Sequence, residues 1–105
     1  MRATDPSTAK VTGATPLRML TCNNLSCYYR KKKQLKKARM VLQQALQLTP
    51  SAEERAKCIS HQGVTHSNLC AVLSQMGQHK VAMHHAENAV RCVRQEVAAY
   101  DGREE

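Results

Sequence analysis

The chain has 105 residues, with 16 Lys or Arg against 8 Asp or Glu and a formal net charge of +8. Trp and Phe are absent and Tyr numbers 3, so the core must come from Leu, Val, Ala, Met and Cys, residues that pack helix against helix. This length allows one small domain, the sparse Gly and Pro fall between periodic segments, and nothing approaches the roughly eighteen apolar residues of a membrane span, so the expectation is all-α.

Residues 1–15 (MRATDPSTAKVTGAT) are small, polar and aperiodic and are expected to form a disordered arm. They hold no apolar run, so no export signal is expected. The 5 Cys (Cys22, Cys27, Cys58, Cys70, Cys92) are odd in number and include no CxxC pair. Reduced thiols in an intracellular compartment follow, cytoplasmic with the nucleus also open.

Thr15-Pro16 reads as a helix start, a hydroxyl N-cap followed by Pro where its missing N–H costs nothing. From Leu17 the apolar residues fall on two adjacent stripes, Leu17, Leu20, Asn24 and Tyr28, and Cys22, Leu25 and Tyr29. The run Arg30–Gln34 breaks the pattern. A second helix then carries Leu35, Ala38, Val41, Leu42, Ala45 and Leu48, with Pro50 to end it. Ser51-Ala-Glu-Glu54 is a capping box, and a third helix is expected from Ala52 towards Met76, continuous across Gly63 and stopped by Gly77. The fourth carries Ala82, Ala86, Ala89, Val93, Val97 and Tyr100 on one stripe and ends near Gly102.

The stretch Thr21–Pro50 returns 44 positions later, from Thr65, with Asn24/Asn68, Leu25/Leu69, Gln34/Gln78, Lys36/Lys80, Ala38/Ala82 and Ala45/Ala89 identical. A repeated helical hairpin buries its apolar face on a neighbouring copy. The pattern resembles the tetratricopeptide repeat family. The first copy supplies Leu25, Ser26, Tyr29, Leu35, Ala38, Leu42, Ala45 and Pro50; the second supplies Leu69, Cys70, Leu73, His79, Ala82, Ala86 and Ala89, with Arg94 where Pro belongs. The longer period and Asn23-Asn24-Leu25 are similar to the repeats of kinesin light chains. The resemblance implies an all-α fold of two tetratricopeptide-like hairpins and four antiparallel helices, the third and fourth extended. Repeat one would span 17–50 and repeat two 52–101 within a domain of 16–101, leaving a tail at 102–105. Two copies fall short of the roughly three that such stacks generally need, so a larger assembly, self-association or a partner helix would complete it. The last helix, through Val93, Val97 and Tyr100, is the surface expected to make a second contact, either self-association or a partner helix.

The resemblance also implies non-catalytic work: a scaffold or adaptor that takes a peptide or helix in a concave groove. Asn24 and Asn68 would contact the ligand backbone or, equally, hydrogen-bond between helices inside the repeat. Asn23, Cys27, Arg30, Lys31 and Lys33 would line the groove from the first repeat, and Ser67, Ala71, Ser74 and Gln75 from the second. No acidic residue lies between Asp5 and Glu53, while that interval holds nine Lys or Arg, seven of them in Arg30–Arg39. This run is either a solvated turn or a patch for an acidic partner. A basic helical nucleic-acid binder using Arg30–Arg39 is the rival reading, opposed by the lack of interleaved aromatics and of any reading motif. Cys58-x-x-His61, with His66 or His84-His85, is where a metal would be sought, but no second pair of ligands is placed to meet it. Neither metal nor cofactor is expected, and no nucleophile–base pair or phosphate-cradling loop marks an enzyme.

Overall fold

The structure, a computed structural model that describes residues 14–104, contains four helices and no strand among the described residues. These are α1 (Ala14–Lys31), α2 (Leu35–Gln47), α3 (Arg55–Gln75) and α4 (His79–Glu104). Helix α1 packs on α2 and α3 on α4, and α3 also packs on both helices of the first pair. Residues 1–13 of the expected arm lie outside the described residues, whereas Ala14 and Thr15 belong to α1.

Both turns within the pairs close the same way. After α1, the Lys33 N–H donates to the Arg30 carbonyl (3.0 Å) and the Gln34 N–H reaches back to the Tyr29 carbonyl (2.9 Å). After α3, Gly77 donates to Ser74 (3.0 Å) and Gln78 to Leu73 (2.8 Å). These are Schellman caps, and the residue at their centre must be left-handed. Gly77 meets that demand at φ 82°, but its counterpart in the first turn is Lys33 at φ 62°.

Several helix ends differ from the sequence reading. Thr15 sits inside the first turn of α1 and does not cap it; its N–H donates instead to Glu54 Oε2 at 3.4 Å. Helix α2 stops at Gln47, with Leu48 extended (φ −71°, ψ 129°), because Pro50 supplies no N–H and disfavours helical backbone just before it. The capping box forms, with Ser51 N–H on Glu54 Oε1 (3.0 Å) and Glu54 N–H on Ser51 Oγ (3.2 Å). It closes a turn ahead of the helix, so α3 begins at Arg55 and not at Ala52. The same carboxylate thus caps its own helix entry and tethers the start of α1. Helix α4 passes through Gly102, where an end was expected, to Glu104.

The core gathers Ala38, Leu42, Leu69, Val72, Leu73 and Ala82, with Tyr29, Leu35, Leu46, Cys70 and Met76 around it. Each fully buried Leu or Val contributes about 1.5–3 kcal/mol by leaving water. Alanines at 38, 45, 82 and 89 let helices approach closely, and Gly63 serves the same end in α3. A Cβ there would lie 3.2 Å from the Cys92 Cβ of α4, which explains why a glycine stands at this point of an otherwise continuous helix.

Helix α1 buries a different face from the one its leucines mark. Met19, Asn23 and Ser26 are covered, while Leu17, Leu20, Leu25 and Tyr28 are 63%, 41%, 39% and 54% exposed. Neither α2 nor α3 covers those residues. The covered side tolerates Asn23 and Ser26 because their polar groups find partners, which removes the penalty of burying them.

Candidate interaction site

Asn23 is the hub of the seam between α1 and α3. Its Nδ2 donates to the His61 carbonyl (3.4 Å), its Oδ1 accepts from Asn68 Nδ2 (3.2 Å), and Ser26 Oγ donates to its backbone carbonyl (2.7 Å). Thr65 Oγ1 donates to the same His61 carbonyl at 2.9 Å. The inter-helix hydrogen bond expected of Asn24 and Asn68 is made by Asn68 with Asn23, while Asn24 stands exposed. Asn23, only 3% exposed, is committed to the seam and offers no surface to a docked segment.

Five of the expected groove residues do come together. Cys27, Arg30 and Lys31 at the end of α1, Lys33 in the turn and Gln75 at the end of α3 line one open depression of about 310 Å³. The two Schellman caps carry this geometry, since each ends its helix beside the other. Three cations converge there, and among the described residues no ion pair involves any of them; the pair observed is His84 with Glu87 (3.7 Å) on α4. Two further cations of the run are held over aromatic faces: Lys32 Nζ lies 5.7 Å from the Tyr28 ring centre and Lys37 Nζ 5.8 Å from that of Tyr29. The sequence reading missed these contacts, although four-residue Tyr-to-Lys spacing before a turn and eight across it was visible. Ser67 lies elsewhere, in a groove between α3 and α4 with Gly63, Cys92 and Val93; Ala71 and Ser74 are half-buried on α3.

The residues weighed for a metal are dispersed or already engaged. Cys58 is fully buried, and burial with the nearby Glu54 carboxylate pushes its thiol above the ordinary value. His66 pairs with His85 across the α3–α4 seam, Nδ1 to Nδ1 at 2.9 Å, with rings 5.1 Å apart and 27° from parallel. At that distance one Nδ1 carries the proton and the other accepts it. Burial lowers the pKa of both rings; for His66 the His85 charge adds to it, and for His85 that of His84. Among the described residues no group of three His, Cys, Asp or Glu side chains could hold a metal ion.

Val93, Val97 and Tyr100 on α4 are 54%, 52% and 59% exposed. Among the described residues no helix is long and apolar enough to cross a membrane. Compared with protein families, curated proteins and solved structures, the chain matches none.

Proposed function

We propose that the chain is a non-catalytic protein–protein interaction module, two tetratricopeptide-like hairpin repeats that take an acidic peptide at the end of α1 and α3. The observation that carries this reading is the depression where Arg30, Lys31 and Lys33 converge with no ion-pair partner among the described residues. Like charges held together raise each other's free energy unless an anion answers them, so the site favours carboxylates from outside. Gln75 supplies a neutral donor and acceptor for the peptide backbone on the far wall. Lys33 strengthens the reading: a lysine occupies a left-handed position that the second turn gives to glycine. Strain kept in a residue that bears charge is a mark of use. The lining holds no histidine beside the Cys27 thiol, which supports a binding role over nucleophilic chemistry. Free cysteines throughout fit a reducing, intracellular compartment.

The test is anisotropy of a labelled peptide rich in Glu and Asp, against the same peptide with Gln and Asn. The acidic peptide should bind and weaken with salt, since exposed charges are screened over about 10 Å at 0.1 M. Changing Arg30, Lys31 and Lys33 together to Gln should lower its affinity roughly tenfold or more. Equal affinity for both peptides defeats the proposal. Tight binding of single-stranded RNA with no response to the acidic peptide transfers the site to the nucleic-acid reading.

A further inference from the structure

The internal repeat links two exposed surfaces at opposite ends of the molecule. Within one copy, α3 packs on α1 and α2, and its Thr65, Leu69 and Val72 are all 1% exposed or less. Their counterparts 44 positions earlier are Thr21, Leu25 and Tyr28 on α1, and all three face solvent. The receiving side shows the converse. Leu46 of α2 packs against the cluster that contains Leu69 and Val72, whereas its counterpart Val90 on α4 is 50% exposed. Where Asn23 of α1 donates to the His61 carbonyl of α3, its counterpart Ser67 lines an open groove with Gly63, Val64, Cys92 and Val93. Each end of the molecule therefore carries one half of a contact that the chain already makes internally.

We infer that the chain self-assembles head to tail, the outer face of α1 in one copy seated on the α3–α4 end of the next. The occupant of both surfaces is a second copy, because the contact continues an interface present in the structure. Charge selects the same arrangement. The first hairpin, α1, α2 and the turn between them, holds all seven cations of Arg30–Arg39, while between residues 51 and 100 Lys and Arg number five against four Glu. Stacking α1 against α1 would oppose two cationic pairs; stacking it on α4 sets a cationic pair on a nearly neutral one. A head-to-tail contact of this kind has no built-in end, so growth is open unless the rotation closes a ring. The inference does not rest on the peptide-binding proposal, and salt separates the two. Screening weakens the peptide complex but leaves apolar stacking intact.

Sedimentation equilibrium in reducing buffer, at low and high salt and across a wide concentration range, tests it with Leu25→Glu and Val90→Glu. The wild-type chain should show a mass that keeps rising with concentration, undiminished at high salt. Each variant alone should be monomeric, because every contact it could form contains a charged residue in an apolar seat. Mixed in equal amounts, the two variants should form a one-to-one dimer and stop there, since one brings an intact α4 end and the other an intact α1 face. That pairing also demonstrates that both variants are folded. A wild-type chain that stays monomeric throughout would overturn the inference. So would a fixed dimer indifferent to Leu25→Glu, or variants that remain monomeric when mixed while the wild type grows.

Discussion

Replacing Lys33 with Gly separates the strain of the first turn from its use. Lys33 holds φ at 62° at the centre of a Schellman cap whose twin places Gly77 at 82°. A side chain in left-handed backbone costs roughly 1–2 kcal/mol, against about 0.5–1 kcal/mol of extra chain entropy that Gly surrenders on folding. The Lys33→Gly chain should therefore be more stable by roughly 0.5–1 kcal/mol, a melting temperature higher by roughly 2–8 °C for a domain of this size. It also loses one of the three cations of the depression, so acidic-peptide affinity should fall roughly two- to fivefold, the scale of one exposed ion pair. Lys33→Ala discards the charge but keeps a Cβ in left-handed backbone; it should lose affinity without gaining stability. Thermal melts by circular dichroism and anisotropy of the labelled peptide read the two effects separately. No gain in stability for Lys33→Gly would refute the account of strain, and unaltered affinity would refute a role for Lys33.

Other outcomes follow from the same contacts. Asn23→Ala should destabilise the fold by about 1–3 kcal/mol, measured by urea unfolding, because it strands Asn68 Nδ2 in the α1–α3 seam. Gly63→Val should cost about 1–3 kcal/mol, as its side chain enters the space where a Cβ already comes 3.2 Å from Cys92. The His66–His85 pair predicts acid sensitivity. Both folded-state pKa values lie below the ordinary 6.5, so the unfolded chain takes up protons first and stability falls as pH drops from about 6.5 through the folded values. Above that window the pair's contribution is complete, and His66→Gln with His85→Gln should flatten the urea midpoint between pH 8 and pH 5.5. In the native chain a thiol reagent should label exposed Cys27 promptly and reach buried Cys58 only on unfolding, as mass spectrometry of digested protein would show.

Much of the architecture was legible because the signals were local. Ser51 and Glu54 sit at capping-box spacing and make both hydrogen bonds, and Gly77 stops α3 by taking a backbone conformation open to few other residues. Small residues at 38, 45, 82 and 89 marked the sides where helices meet. The buried face of α1 was not legible, since its strongest apolar stripe points outward and the covered side is carried by Asn23 and Ser26. Partners across sequence decide that: a buried Asn is tolerable only once Asn68 and the His61 carbonyl are in place. For the site, the basic run announced itself, but which of its cations converge depends on how two helix ends meet. The alignment of Lys33 with Gly77 was available in the 44-residue repeat and would have flagged the left-handed lysine; the His66–His85 contact joins α3 to α4 and left no local trace.

The measurement that bears most directly on the proposed role is an amide NMR titration of the full chain with the acidic peptide. Binding at the depression predicts shifts concentrated at Cys27, Arg30, Lys31, Lys33 and Gln75, fading as salt is raised, with the surface of α4 undisturbed. Shifts centred on α4, or none at saturating peptide, would contradict it.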